Sequence, residues 1–248
     1  MRLKLGLPSK GRLQEESIAW FGARGVGLAR SGAGREYRGT VRGVEGVELV
    51  LLSAAEIPRE LGAGRLHLGV TGQDLVREEL PRWSGIVSEL APMGFGFADL
   101  VVAVPAFWID VSDMADLDAA AAEFRARHGH RLRVATKYSH LTRAFFRQNG
   151  VADYQLVPSQ GATEGAVKNL TAEAIADITT TGSTLRDNHL RVLDDGLVLK
   201  SQATLFLSRA ARWDATPRAA LAALTALLGL ERVDVASPTD RPGRLLAQ

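Results

Sequence analysis

Short apolar segments alternate with amphipathic segments along most of the chain. The residues LKLGLP at positions 3–8 predict a buried strand, and RLQEESIAWFGARG at 12–25 predicts an amphipathic helix that Gly25 ends. Alternating strand and helix signals are typical of βαβ units, so the pattern predicts an α/β protein with largely parallel sheets. Further strands are predicted at 47–52, 66–70, 100–105, 132–136, 154–158 and 172–178, further helices within 55–64, 71–80, 114–129 and 141–150, and a loop with a short hairpin at 30–46.

The chain has one candidate crossing between two lobes. The glycine-rich stretch Gly94–Gly96 would carry it out of the first lobe, and the strand-like residues 191–210 would bring it back. We therefore expect lobe I to contain residues 1–97 and about 193–248, lobe II to contain 98–192, and a ligand cleft to lie between them. A helix from about Pro217 to Leu230 is expected near the end of the chain.

Composition excludes several classes of function. The net charge of the 248 residues is only +2 and the basic residues are scattered, so neither nucleic acid nor a membrane is expected as a partner. There is no cysteine, which excludes thiol catalysis, and the five histidines lack metal-ligand spacing. With no apolar run of membrane-spanning length and no signal-peptide pattern, we expect a cytoplasmic protein.

The strongest chemical signal is the stretch DITTTGSTL, from Asp177 to Leu185, where a buried strand meets a helix. Ligands of open α/β sheets bind at the carboxyl ends of strands, and backbone N–H groups there suit an anion. The hydroxyls add donors, and Gly182 lets the backbone approach a ligand closely. The loop therefore favours a phosphate monoester. The alternative is that Thr and Ser only cap the helix, but one cap explains one hydroxyl rather than all of them.

Asp177, at the start of this loop, would repel a phosphate. It suits instead the hydroxyls of a sugar, or Mg2+ shared with the ligand. An acid followed by such a loop therefore favours a ribose 5-phosphate compound.

Lobe I offers weaker candidates. Lys10 and Arg12 follow the first strand in the turn PSKGR and are predicted to contact phosphate or pyrophosphate. Asp74 either contacts the ligand or complements the dipole of its own helix, and the sequence leaves both open. Lys137, in another strand-end turn, is equally compatible with solvated surface charge.

Four segments, in order, resemble the catalytic subunit of the ATP phosphoribosyltransferase family. They are LGLPSKGRL (5–13), LGVTGQDL (68–75), ATKYSHLTRAFF (135–146) and GATEGAVKNLTAEAIADITTTGSTLRDNHL (161–190). The matches extend from residue 3 to about 209, so they cover most of the chain. The resemblance implies a two-lobed fold like that of periplasmic binding proteins.

It also implies the first reaction of histidine biosynthesis, in which N1 of ATP attacks C1 of phosphoribosyl pyrophosphate and displaces pyrophosphate. A phosphoribosyltransferase for another base and a non-catalytic anion-binding clamp are the alternatives. The implied roles are catalysis for Lys10, Glu164 and Asp177; Mg2+ binding, shared with the ligand, for Glu164 and Asp177; phosphoribosyl pyrophosphate binding for Asp177, Thr179, Thr180, Thr181, Gly182, Ser183 and Thr184; and ATP binding for Lys10, Gly11, Arg12, Thr71, Gly72 and Asp74.

The chain departs from the family at Ser53–Pro58, SAAEIP, where many members carry an arginine in R-A-x-D-I-P. If that arginine helps to neutralise the pyrophosphate, another cation must substitute for it here, and the sequence does not choose among the candidates Arg59, Arg35 and Arg38. The length resembles the family's short form, which implies a regulatory subunit similar to histidyl-tRNA synthetase in a hetero-oligomer and is compatible with a homodimer of catalytic chains.

Overall fold

The structure is a computed structural model that describes residues 1–30, 38–159, 161, 163–231, 233 and 235. The chain divides into two compact units, the first formed by Met1–Gly96 and Gln202–Gln248 and the second by Phe97–Ser201. The outward crossing follows the glycines at 94–96, but the return comes at Ser201 rather than near residue 193. The reason is that the last strand of the second unit, residues 190–201, still pairs with residues 98–105 at Ser201, although its register shifts twice on the way.

The first unit contains a seven-stranded sheet in the order β2-β3-β4-β1-β5-β12-β6. Its strands are β1 (Leu3–Pro8), β2 (Gly27–Arg30), β3 (Arg38–Arg42), β4 (Val47–Leu52), β5 (Leu68–Gly72), β6 (Val87–Pro92) and β12 (Ala203–Ser208). Its helices are α1 (Arg12–Gly22), α2 (Glu56–Gly62), α3 (Gln73–Glu79), α4 (Trp83–Ile86) and α9 (Ala215–Leu227). Phe21, Phe206 and Trp213 are the largest fully buried side chains of this unit.

The second unit contains a five-stranded sheet in the order β11-β7-β10-β8-β9. Its strands are β7 (Ala98–Pro105), β8 (Leu132–Thr136), β9 (Tyr154–Pro158), β10 (Ala174–Thr179) and β11 (Leu190–Ser201). Its helices are α5 (Met114–His128), α6 (Ser139–Gln148), α7 (Gly165–Lys168) and α8 (Ser183–Asp187). Phe146 packs at the centre of its core with Val104 and Val134.

The α/β class is confirmed, but the prediction of largely parallel sheets is wrong. Among the described strands, four pairs are parallel (β1–β4, β1–β5, β8–β9 and β8–β10) and six are antiparallel. The meander β2-β3-β4 contributes two antiparallel pairs. The other four arise where the chain enters or leaves a unit: β7 enters antiparallel to β10, β11 leaves antiparallel to β7, and β12 returns antiparallel to β5 and β6. A βαβ pattern does not specify the direction of such strands.

The parallel pairs fix where chemistry can occur. In the first unit β4, β1 and β5 are parallel neighbours, so their carboxyl ends meet at one edge of the sheet. In the second unit β9, β8 and β10 form the same arrangement. No helix within the described residues is long and apolar enough to cross a membrane.

Candidate phosphate and acid site

The hydroxyl-rich loop lies between β10 and α8, at the carboxyl edge of the second sheet. β10 is buried because it runs between β7 and β8, and its exposed side chains begin only at Ile178. Gly182 has φ +71°, the left-handed conformation that glycine adopts without cost, and it immediately precedes α8. The loop therefore turns sharply at its only glycine.

Hydrogen bonds inside the loop hold it in shape. The Gly182 N–H donates to Thr179 Oγ1 at 2.9 Å, and the hydroxyls of Thr181 and Ser183 share a bond at 2.9 Å. Thr180 Oγ1 donates to the carbonyl oxygen of Phe97 at 3.1 Å. Some of the donors that were predicted to bind a ligand are therefore used within the protein to hold the loop. Thr184 differs, because its hydroxyl makes no hydrogen bond with any other residue that the structure describes.

A cavity of about 380 Å³ opens beside this loop and brings it together with both predicted acids. Glu164 directly precedes α7 and Asp177 belongs to β10, yet both line the cavity. Asp177 is 8% exposed, and its Oδ1 accepts the N–H of Ile178 at 2.9 Å, which orients the carboxylate. The remaining lining residues are Ile178, Thr179, Thr180, Thr181, Ser183, Thr184 and Leu185.

The side chains that line this cavity carry negative charge and do not by themselves neutralise an anionic ligand. Its described lining contains two carboxylates and no Lys or Arg. No group of three or more His, Cys, Asp or Glu side chains that could hold a metal ion occurs among the described residues. Two carboxylates that face one cavity do fit Mg2+, which is commonly held by one or two carboxylates together with substrate phosphates and water.

Lys137 lies near the same edge of the second sheet without lining the cavity. It follows β8, where the Thr136 hydroxyl accepts the N–H of Tyr138 at 2.9 Å and forms the turn. The Lys137 side chain is exposed, as solvated surface charge would be.

In the first unit, Lys10, Gly11 and Arg12 follow β1. Gly11 has φ +77°, and its carbonyl accepts the N–H groups of Gln14 and Glu15, so it begins α1. Lys10 is exposed. Arg12 is exposed too and pairs with Glu16 at 2.9 Å, and an exposed pair of this kind is weak enough to exchange for a ligand.

The other residues predicted to bind ATP follow the same pattern: Thr71 and Gly72 end β5, and Asp74 comes directly after it in α3. Because β5 pairs with β1, the two predicted ATP-binding segments, 10–12 and 71–74, lie at one edge of the sheet. Thr71 is buried and its hydroxyl donates to the Ala54 carbonyl at 2.8 Å. Asp74 is 5% exposed in the first turn of α3. Of these residues, Thr71 has its hydroxyl engaged within the protein.

The segment that lacks the family's arginine has its own local structure at this edge. Glu56 Oε2 accepts from the N–H of Ser53 at 2.9 Å and from its hydroxyl at 2.7 Å, and these two bonds lower the pKa of Glu56. This is half of a capping box, which the spacing S-x-x-E predicts. Of the candidate cations, Arg59 instead binds Glu79 through two hydrogen bonds of 2.7 and 2.9 Å. Arg35 and the side chain of Arg38 lie outside the described residues.

One residue near the loop was missed by sequence reasoning. Arg186 Nη1 donates to the Thr181 carbonyl at 3.2 Å, and it lies 3.0 Å from the position that a Cβ on Gly182 would occupy. Its place four residues after the glycine, one helical turn away, was the available signal.

These features define an α/β protein whose second unit brings two acids and a hydroxyl-rich loop to one cavity, and comparison with known proteins identifies its family. The family model of ATP phosphoribosyltransferase, HisG, matches residues 53–229. The chain is 68% identical over 230 residues to the ATP phosphoribosyltransferase of Cereibacter sphaeroides, covering 93% of this chain and 97% of that protein. It is 55% identical over 216 residues to that of Bradyrhizobium sp. ORS 278, covering 87% of this chain and 66% of that protein. The chain thus spans almost all of the first relative and just under two thirds of the second.

The fold comparison agrees. The ATP phosphoribosyl transferase (HisG:HisZ) complex from Thermotoga maritima has a TM-score of 0.69 at 21% identity, covering 92% of this chain and 96% of that chain. A histidine kinase sensor domain with similarity to periplasmic binding proteins has a TM-score of 0.50 at 12% identity, covering 92% and 89%. The chain belongs to the ATP phosphoribosyltransferase family. This confirms the family, the enzyme class and the place at the first step of histidine biosynthesis that the four motifs predicted.

Proposed function

We propose that the chain transfers the 5-phosphoribosyl group of phosphoribosyl pyrophosphate to N1 of ATP, giving phosphoribosyl-ATP and pyrophosphate. The observation that carries this proposal is the cavity of the second unit, where Glu164 and Asp177 face the loop from Thr179 to Thr184. Carboxylates suit a ribose diol, and hydroxyls with backbone N–H groups suit a 5-phosphate. The two recognition elements of a phosphoribosyl donor are therefore present side by side.

In this proposal the donor's phosphate binds to the loop and its diol to the acids. Thr181, Ser183 and Thr184 supply hydroxyls to the 5-phosphate, and Gly182 keeps side-chain bulk away from the loop backbone. Thr180 acts largely by holding the loop, since its hydroxyl already donates to the Phe97 carbonyl. Thr179 accepts the Gly182 N–H and so holds the loop too, but its hydroxyl hydrogen can still be donated to the ligand. Asp177 and Glu164 orient the ribose, which fixes the direction in which C1 faces.

The bond changes require little covalent help from the protein. The lone pair of adenine N1 forms the new bond to C1, while the C1–O bond breaks and its electron pair leaves with pyrophosphate. Positive charge grows on the sugar ring as the bond breaks, and the nearby carboxylates of Asp177 and Glu164 stabilise it. Catalysis therefore rests on positioning and electrostatics.

Enzymes of this family use a metal ion, and we assign Mg2+ to the two carboxylates together with oxygens of the donor. When bound, Mg2+ neutralises charge on the pyrophosphate and makes it a better leaving group. Glu164 and Asp177 would hold it, and their shared cavity supports this assignment.

ATP is assigned to the carboxyl edge of the first sheet. Lys10 and Arg12 are exposed cations there, suited to phosphates, and Lys10 is the cation to which we give a catalytic role. Gly11 and Gly72 offer backbone without side chains, and Asp74 orients adenine or ribose. Thr71 contributes through its backbone, because its hydroxyl binds Ala54.

A nucleotide panel tests this function. The protein is mixed with phosphoribosyl pyrophosphate, Mg2+ and one nucleotide or base at a time, and pyrophosphate is assayed. Release with ATP alone is expected. Release with another base and none with ATP would favour the other-base transferase, and tight binding without release would favour a non-catalytic clamp.

We further propose a cytoplasmic hetero-oligomer with a regulatory subunit resembling histidyl-tRNA synthetase. The similar fold of the Thermotoga maritima protein, which was solved as a HisG:HisZ complex, supports this partner. A homodimer of catalytic chains remains a prediction, to be tested by light scattering of the isolated protein.

A further inference from the structure

The phosphate-binding loop of the second unit needs a positive charge that its cavity lining does not supply. The described lining carries the carboxylates of Glu164 and Asp177 and no basic side chain. A bound metal ion would balance the acids and the pyrophosphate. The 5-phosphate, at the other end of the donor, would still require compensation.

Arg186 is the basic residue attached to this loop. It belongs to α8, and its Nη1 donates to the Thr181 carbonyl at 3.2 Å. Within the described residues it forms no ion pair, so its charge is not cancelled by a neighbouring acid. Arg186 does not line the cavity itself, and it therefore reaches the ligand only through the loop.

A continuous set of hydrogen bonds leads from Arg186 to the cavity. The guanidinium donates to the carbonyl of Thr181, and the N–H of the same peptide, which belongs to Gly182, donates to Thr179 Oγ1 at 2.9 Å. Thr179 lines the cavity, and because its oxygen acts as acceptor its hydrogen can be donated to a ligand. Each bond in such a chain polarises the next, and a cation at the first carbonyl makes the last hydroxyl a stronger donor.

We propose that Arg186 is a positioning residue for the phosphate of the donor, acting through the Thr181–Gly182 peptide and the hydroxyl of Thr179. This inference rests on the proposed function, because it assumes that a phosphate occupies the loop. Arg186 fixes the plane of the peptide, and its charge strengthens the Thr179 hydroxyl as a donor to the phosphate.

The test measures binding of ribose 5-phosphate by calorimetry to the full chain and to three variants. Arg186→Met removes both the charge and the donor, and it should weaken binding about tenfold, the size of one charge-assisted hydrogen bond. Arg186→Gln keeps an N–H donor without the charge and should lose most of the same affinity. Arg147→Gln, on the exposed surface of α6 in the same unit, removes an equal charge and should bind like the unchanged protein.

A double-mutant cycle with Thr179→Val tests the route. If Arg186 acts through Thr179, then Arg186→Met should cost less than about threefold in the Thr179→Val background, because the connection is already cut. An undiminished tenfold loss in that background would overturn the route through Thr179. Normal binding by Arg186→Gln would show that the hydrogen bond alone matters and would overturn the role of the Arg186 charge. Normal binding by Arg186→Met would overturn the inference alone. Absence of ribose 5-phosphate binding to the unchanged protein would overturn the proposed loop function as well.

Discussion

Asp177→Asn is the substitution with the largest expected effect on turnover at the smallest structural cost. The amide has the shape of the carboxylate, and its oxygen can still accept the Ile178 N–H that now binds Oδ1 at 2.9 Å. What disappears is one negative charge inside the cavity. A charge about 4 Å from the developing positive charge on the ribose is worth about 4 kcal/mol at an effective dielectric constant of about 20. Partial solvation of the open cavity reduces this to about 3 kcal/mol, so turnover should fall by roughly two decades or more.

The assay is pyrophosphate release at saturating ATP and phosphoribosyl pyrophosphate, with a thermal melt of each protein. Asp187→Asn is the matched control, because it removes the same charge from the exposed surface of α8 in the same unit. We expect unchanged melting for both variants and unchanged turnover for the control. Near-normal turnover of Asp177→Asn would refute a role for this carboxylate in the reaction and reduce it to a loop-forming acid.

Three further results are expected. Gly182→Val places a Cβ 3.0 Å from Arg186 Nη1 on a backbone with φ +71°, a conformation that valine rarely adopts. Calorimetry should therefore show that ribose 5-phosphate binding is lost and ATP binding is kept. Normal binding of both ligands would mean that the phosphate binds elsewhere. His67 is buried and its pKa is lowered chiefly by that burial, with Lys4 and the N-terminus acting in the same direction and the Arg212 carbonyl and Asp214 opposing them. His67 therefore binds its proton more tightly in the unfolded chain, so the free energy of unfolding should fall below about pH 6.5, by up to about 1.4 kcal/mol per pH unit. Denaturant titrations should show a flatter dependence of stability on pH for His67→Asn, and parallel curves for the two proteins would contradict this. Inhibition by histidine would need a site distinct from the substrate sites, and each of the two compact units already carries a predicted substrate site. Histidine should therefore not inhibit the isolated protein at concentrations that inhibit its hetero-oligomer. Strong non-competitive inhibition of the isolated protein would contradict this prediction.

Local signals allowed most elements to be predicted from the sequence. β1 and β4 occupy the predicted residues, and α5 is bounded by Asp113, whose side chain caps it, and by Gly129 in the left-handed conformation. These boundaries depend on side chains within a few residues of each other, which a sequence displays directly.

Strand direction could not be predicted in the same way. β6 and β12 pair antiparallel although they are separated by the whole second unit in the sequence. The continuation of β11 to Ser201 depends on its pairing with β7, across a stretch that includes Gly196 and two shifts of register. Such pairings are decided by tertiary contacts rather than by local pattern.

The candidate site likewise combines features that the sequence shows locally with features that depend on tertiary contacts. The acid and hydroxyl pattern at Asp177–Thr184 is visible in the sequence, and the structure places it with Glu164 around one cavity. Which hydroxyls are already engaged could not be predicted, because the Thr180 bond reaches Phe97 and the Thr71 bond reaches Ala54. Arg59 was a candidate pyrophosphate contact by its position, but its pairing with Glu79, twenty residues away, depends on how α2 packs against α3.

The most direct test of the central claim is the bond that the enzyme forms. ATP labelled with nitrogen-15 at N1 and phosphoribosyl pyrophosphate labelled with carbon-13 at C1 are incubated with the protein and Mg2+, and the product is examined by NMR. The proposed function predicts a one-bond coupling between the labelled N1 and the labelled C1, appearing together with pyrophosphate. Pyrophosphate released with ribose 5-phosphate as the only labelled sugar product, or a carbon signal with no coupling to N1, would contradict it.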